Sequence, residues 1–369
     1  MAHSPAETQS RRDVAAPWPK VRLGEICDVF TGKKDVNQTV ATGAYRFFSC
    51  SPSPFYSDEY LYDGEAVIVA GNGSYTGRTQ FYSGKFDLYQ RTYACVAKEA
   101  DACCVKYVFY AMKAYFEPEI RGGKRGAAIP YIVKSNLTDY KISLPPLPVQ
   151  RAIAKRLSAY DNLIENNCRR IAILETKAEQ LYKEWFVRRR GIGNINGWRR
   201  GRIGDICLLK RGKNITSSEM KPGIIPVIAA GLEPSGYHDT ANVHGVSITM
   251  SSSGANAGFI GIHYSDIWAA DCAYASECDT PNIYYAYEVM NNLRPVIDNF
   301  KMGAAQPHVY PKHINAIKIE IPPESLMAEA NNRLATIHCL TANLQKQNAL
   351  LARERDLLLP RLMSGRVKP

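Results

Sequence analysis

Apolar and near-apolar residues recur at Ile153, Leu157, Tyr160, Ile164, Ile171, Leu174, Ala178, Leu181 and Trp185. The steps alternate four and three, and only Asn167 breaks the row. A repeat near 3.5 residues keeps one stripe of a helix facing a partner helix. No Pro or Gly interrupts Val149 to Arg190, and Pro148 suits a first helical turn. The spacing predicts a rod of some forty residues, roughly 60 Å long. Near the C-terminus Leu334, Ile337, Thr341, Leu344, Leu351, Leu358 and Leu362 repeat the spacing, with Asn348 and Arg355 as polar breaks. The two stripes are expected to pair as an antiparallel coiled coil. With centres aligned, partner numbers sum to 515, so Asn167 meets Asn348. A lone polar layer of this kind fixes register at some cost in stability. The alternative is two solvated Asn on a loosely packed seam, and the spacing alone leaves both open.

The rest of the chain reads differently. Met1 to Ala16 is expected to be a loose tail. From Trp18 short β-rich segments lie between Gly-, Asn- and Ser-rich turns. Val67-Ile68-Val69, Tyr93-Ala94-Cys95-Val96 and Lys141-Ile142-Ser143-Leu144 are strand candidates, and Val105 to Phe116 reads as a short helix.

Past Arg190 the text restarts. Trp18 is matched by Trp198, Leu23-Gly24-Glu25-Ile26-Cys27 by Ile203-Gly204-Asp205-Ile206-Cys207, and Gly32-Lys33 by Gly212-Lys213, at an offset of 180. Further on, Gly126-Ala127-Ala128-Ile129-Pro130 matches Gly303-Ala304-Ala305-Gln306-Pro307, and Ile142-Ser143-Leu144-Pro145-Pro146 matches Ile319-Glu320-Ile321-Pro322-Pro323, at 177. One frame held over half the chain means internal duplication. The interiors, roughly 38–120 and 218–296, match poorly, so each half has a shared frame and a private interior. The expected fold class is α+β: two pseudo-symmetric, globular, mostly-β domains separated by a long two-helix antiparallel coiled coil. The expected layout is a tail over 1–16, a domain over 17–147, a central helix over 148–190, a second domain over 191–323 and a C-terminal helix over 324–369.

A chain of 369 residues is too long for one ordinary core, which agrees with two domains. Lys and Arg number 46 against 35 Asp and Glu, a net charge of +11. Such a balance suits a polyanionic partner, with nucleic acid the commonest. The ten cysteines form no C-x-x-C, and Met1 to Lys20 has no apolar run. They are read as reduced thiols of a cytoplasmic protein. No stretch approaches the ~20 apolar residues of a membrane span.

No acid, base or nucleophile set repeats between the halves. Ser51-Pro52-Ser53-Pro54-Phe55-Tyr56 has some likeness to the substrate loop of amino-methyltransferases, but its prolines are not adjacent and no Gly-rich cofactor turn accompanies it. His308 and His313, five apart, fit a metal site poorly, and no third ligand is evident. Gly71-Asn72-Gly73-Ser74-Tyr75-Thr76-Gly77 lacks the Lys-Ser/Thr of a P-loop. It reads as a turn that lets backbone approach a ligand or a strand, with Ser251 to Gly258 as its counterpart.

Basic and polar clusters mark candidate DNA-binding positions. In the first half they are Lys33, Lys34, Tyr75, Arg78, Arg91, Lys124 and Arg125. In the second they are Arg211, Lys213, Asn214, Ser252, Ser253, Lys301, His308 and Lys312. Arg and Lys beside Gly suit phosphates; Asn, Ser and Arg suit base edges. Each position is also compatible with a solvated surface charge.

Pro-Pro-Leu-Pro-x-Gln before the first long helix, Leu181-Tyr182-Lys183-Glu184-Trp185-Phe186-Val187 at its end, and Leu359-Pro360-Arg361-Leu362-Met363-Ser364-Gly365 at the C-terminus complete the pattern. With the duplication, the chain from Trp18 onward resembles the specificity subunit of type I restriction–modification systems. Val149 stands where Glu is common, and the second copy lacks the Leu-Pro-x-Gln tail. The resemblance implies a non-catalytic reader of double-stranded DNA. Each interior would be a target-recognition domain for half of an asymmetric bipartite site, and the helices would be the spacer. It also implies two methyltransferase subunits using S-adenosylmethionine and restriction motor-nuclease subunits using ATP and Mg2+, with no cofactor on this chain. The competing expectations are a stand-alone DNA adenine methyltransferase and a coiled-coil protein scaffold.

Overall fold

The structure, a computed structural model, describes residues 18–53, 55–122, 131–188, 197–303 and 307–369. The expected tail over 1–16 lies outside them. The chain forms two units: one runs to Glu165 and adds Ala349–Pro369, and the other is Asn166–Asn348. Each unit therefore holds one β-rich domain and a portion of both long helices.

The first domain contains β1 (Lys20–Arg22), β2 (Cys27–Thr31), β3 (Tyr45–Phe48), β4 (Phe55–Ser57), β5 (Tyr62–Ala70), β6 (Thr79–Leu88), β7 (Thr92–Ala97) and β8 (Lys141–Ser143). Six form one sheet in the order β2-β7-β5-β6-β3-β4, while β1 and β8 make a separate antiparallel ribbon. The run Ala66 to Ala70 is apolar on both faces because both are covered. Val67 and Val69 pack under the helix Val105–Ala111, against Val105 and Val108; Ala66 and Ile68 face Phe48 and Phe86.

The second domain contains β9 (Arg199–Arg202), β10 (Lys210–Arg211), β11 (Ile225–Ile228), β12 (Gly236–His238), β13 (Ser247–Ser251), β14 (Ile260–His263), β15 (Trp268–Ala269), β16 (Cys272–Ser276) and β17 (Lys318–Ile321). The orders β10-β16-β13-β14 and β12-β11-β15 repeat the first sheet, with its β6 replaced by β14 and β15. Even the parallel strand pairing recurs, Phe48 to Leu88 in one domain and Ile228 to Ala269 in the other. The interiors are thus duplicated in topology where their sequences had diverged.

The long helices are Leu147–Tyr182, which continues through a π-helical turn Lys183–Arg188, and Glu324–Met363. In the first unit Ile153 and Leu157 share a core with Leu359 and Leu362, and Arg355 Nη1 donates to Asp161 Oδ1 at 2.5 Å. In the second, Ala178 shares one with Ala330 and Leu334. There Asn167 Nδ2 donates to Asn348 Oδ1 at 3.0 Å. In each unit, rising numbers on one helix meet falling numbers on the other, so the packing is antiparallel. Gln150 explains the Pro-x-Gln phrase. Its buried side chain accepts from Cys104 N at 2.9 Å and donates to Pro145 O at 2.8 Å, tying the start of the long helix to the domain helix. Asn331 does this work in the second unit, accepting from Tyr284 N at 3.0 Å.

Candidate nucleic-acid interface

Four loops of the first domain are stitched together by backbone hydrogen bonds. Tyr89 N donates to Phe48 O at 2.9 Å, Gln90 N to Lys34 O at 3.0 Å, Gly71 N to Arg91 O at 2.9 Å, and Ile132 N to Gly71 O at 2.8 Å. The close approach needs glycine: a Cβ on Gly32 would lie 1.7 Å from Leu88 O. On this platform Lys33 and Arg91 are exposed and Tyr75 is 46% exposed. The Arg78 guanidinium sits 6.0 Å from the Tyr75 ring.

The second domain rebuilds the same platform. Thr76 N to Gly73 O becomes Ala257 N to Gly254 O, and Gly77 N to Ala70 O becomes Gly258 N to Ser251 O. Ile132 N to Gly71 O becomes Val309 N to Ser252 O, and the bridge Asn72 to Tyr131 becomes Ser253 to His308. A Cβ on Gly212 would meet Ala270 O at 2.3 Å. Side chains differ at equivalent places: Tyr75 gives way to Asn256, Arg78 to Phe259 and Tyr131 to His308. The backbone is copied and its chemistry is not.

The family model described as the type I restriction modification DNA specificity domain matches residues 16–176 and 195–337. The chain belongs to this family. It is 34% identical over 154 residues to the specificity subunit of the type I restriction enzyme EcoDI of Escherichia coli, 42% of this chain and 33% of that protein. It is 27% identical over 213 residues to the MjaVIII specificity subunit of Methanocaldococcus jannaschii, 52% of this chain and 47% of that protein. The chain thus spans a third to about half the length of these two relatives. The crystal structure of a type I restriction–modification S subunit from M. genitalium superposes with a TM-score of 0.63 at 21% identity, covering 96% of this chain and 97% of that one. This last likeness speaks for the fold.

Within this specificity-domain fold the candidate residues divide. Lys33, Tyr75, Arg78 and Arg91 share the first platform. Lys34 belongs to its support: Nζ lies 2.8 Å from Asp87 Oδ2 and 3.0 Å from Glu59 Oε2. The Asp87 bond, with help from Glu59, raises its pKa against the pull of desolvation. Lys124 and Arg125 lie outside the described residues. On the second platform are Ser252, Ser253, Lys213 and His308. Ser253 is buried, and its Oγ donates to Asp271 Oδ2 at 2.9 Å. Lys213 Nζ lies 5.9 Å from the centre of the Trp268 ring. Arg211 is exposed on β10, and the Asn214 side chain accepts from Ile215 N at 3.0 Å. Lys301 pairs with Asp298 at 2.8 Å, and Lys312 is exposed on the short helix Pro311–Asn315. Two platform residues escaped the sequence reading: Tyr131, 72% exposed, and Asn256, the counterpart of Tyr75. The shared four-residue spacing of Gly73 to Gly77 and Gly254 to Gly258 was the available signal for Asn256.

His263 gives the second domain a pH dependence. Burial pushes the His263 imidazole down from 6.5 to about 4, with Nε2 2.8 Å from Thr249 Oγ1. A folded value below the unfolded one means that the unfolded chain takes up the proton first. The contribution is therefore full above about 6.5 and is lost as pH falls towards about 4. We expect a loss of about 1–2 kcal/mol over that window, discounted because the ring keeps some solvent. Urea melts at pH 7 and pH 4.5 test this. His263→Gln should remove that part of the dependence, and an unchanged dependence would assign it elsewhere.

Proposed function

We propose that the chain is the DNA-reading, non-catalytic specificity subunit of a type I restriction–modification complex. The observation that carries this reading is the duplicated loop platform: one backbone scaffold per unit, with unlike side chains on each. Such an arrangement suits two short recognition events on an asymmetric bipartite site. Lys33, Tyr75, Arg78, Arg91 and Tyr131 would serve one half-site. Lys213, Ser252, Asn256 and His308 would serve the other. The net charge of +11 favours phosphate contacts and a steep fall of affinity with salt. The paired helices would act as the spacer, with the Asn167–Asn348 layer fixing their register. Methylation and cleavage would belong to two methyltransferase subunits and to restriction subunits, which would bring S-adenosylmethionine, ATP and Mg2+ in the cytoplasm.

The test is to assemble the chain with the methyltransferase subunits of its own system and select bound duplexes from a random library. Two fixed blocks separated by a gap of constant length and free sequence are expected. Exchanging residues 38–120 for those of another specificity subunit should change one block only. A single continuous block, or no preference, overturns the reading.

A further inference from the structure

Each domain carries a small basic ribbon that the DNA reading does not use. In β1–β8 Arg22 stands directly opposite Lys141; in β9–β17 Arg202 stands directly opposite Lys318. Residues opposed in an antiparallel pair project to the same face, where like charges repel. All four are exposed, and among the described residues the structure gives none of their side chains a carboxylate partner. An unfavourable pairing kept in both copies of a diverged repeat points to something negative that covers it.

A cavity adjoins each ribbon. In the second domain it is about 860 Å³, walled by Phe186, Trp198, Tyr285 and Leu293, with Arg202 and Lys318 also lining it. In the first it is about 660 Å³, walled by Trp18, Tyr140, Ile142 and Met363, with Lys20 and Lys141. Acids line both, Asp205 and Glu320 in one and Glu119 and Asp139 in the other. Asp205 is already engaged by Arg202 N and Arg199, and Glu320 faces Arg200 across the ribbon. The walls correspond through the repeat: Trp18 and Trp198 are 180 apart, and Lys141 and Lys318, like Phe186 and Met363, are 177 apart.

We propose that the two ribbon cavities are docking sites for two copies of one protein partner. Each copy would insert an apolar side chain into the cavity and lay acidic residues on the ribbon. Trp18 and Trp198, Lys141 and Lys318, and Ile142 and Ile319 keep their identity in the two linings where the recognition interiors diverged, which points to the same ligand twice. A phosphate backbone would leave the aromatic walls unfilled. The ribbon also lies at the opposite end of β2 from the Gly32–Lys33 loop, five residues or about 17 Å away. The inference rests on the proposed function, because it gives that complex's methyltransferase partner a place on this chain.

Native mass spectrometry of the chain co-assembled with the methyltransferase subunit of its own system tests this. The wild type should carry two copies, Arg22→Glu or Arg202→Glu one, and the double variant none. Each reversal turns a like-charge pair into an opposite-charge pair, so the isolated variants should melt no lower than the wild type. Lys141→Ala and Lys318→Ala, which add no charge, should weaken partner binding about tenfold or more. Two copies on the double variant and on the alanine variants would overturn the docking sites and leave the specificity reading standing. A wild type that takes up no copy overturns both. Loss of DNA affinity by the isolated double variant would make the ribbons DNA contacts instead.

Discussion

Replacing His338 by aspartate is expected to destabilise the second unit by about 3–5 kcal/mol. The reason is a reversal of chemistry between the two units. In the first, the Tyr110 hydroxyl on the domain helix donates to Asp161 on the long helix, and Arg355 completes the site. Met112, in the turn that continues the helix Val105–Ala111, and Met290, in the second domain's helix Ile283–Asn292, align the two domain helices at an offset of 178, which sets Glu288 in the place of Tyr110. The long-helix offset of 177 sets His338 in the place of Asp161. The acid has moved from the long helix to the domain helix. His338 and Glu288 are 3% and 2% exposed, with Nε2 3.4 Å from Glu288 Oε1. Tyr264 Oη lies 2.8 Å from Nδ1, and the Tyr284 ring stacks on the imidazole at 5.0 Å. Burial raises the Tyr264 pKa, so that hydroxyl keeps its proton and donates to Nδ1, leaving Nε2–H towards Glu288. Aspartate at 338 would bury two carboxylates side by side, with Ala178 standing where Arg355 stands in the first unit. Adding Glu288→Gln should recover part of the loss, because the amide both removes the repulsion and offers a donor. Equilibrium urea unfolding of the wild type, the single variants and the double variant measures the coupling. A double variant no more stable than His338→Asp would mean that the two side chains do not interact.

The second large effect is expected at Gly32. Alanine there would place a Cβ 1.7 Å from Leu88 O and 2.3 Å from its carbonyl carbon, and both are backbone atoms of β6. The Lys34 to Tyr89 bridge and the Gln90 N to Lys34 O bond would have to open. We expect about 2–3 kcal/mol of destabilisation. The functional consequence is more selective. Lys33 and Arg91 would lose their common base, so the first block of the DNA site should lose at least about tenfold in preference, equivalent to about 1.4 kcal/mol. The second block should be untouched. Gly212→Ala, with its Cβ 2.3 Å from Ala270 O, should give the mirror result. Selection from a random duplex library with each variant reads both blocks at once. Equal weakening of the two blocks by either variant would sink the assignment of one platform to each half-site.

The long helices were legible because their signal is local: a four-three spacing names the buried stripe without knowledge of the partner. The meeting of Asn167 with Asn348 followed from arithmetic on two such stripes. The strand order of the interiors was not legible. Ten residues form β6 without a break, whereas its counterpart is split into β14 and β15 around Tyr264–Ile267. Pairings such as Phe48 to Leu88 and Ile228 to Ala269 are decided by contacts forty residues apart. Charge was legible as composition but not as availability. Lys33 and Lys34 are neighbours, yet one is exposed and the other is held by Asp87 and Glu59.

By itself, the amino-acid order determined the duplication, the twin seams and the family, since each is carried by neighbours along the chain or by a fixed offset. Only the tertiary structure decided which loops share a platform, which cations are already answered, and where each helix end docks. Phe186 packs on Tyr285 of the domain that follows it, and Gly365 lies against Trp18, almost the whole chain away. Such meetings are chosen by the burial of aromatic surface between distant segments, and no local spacing records them.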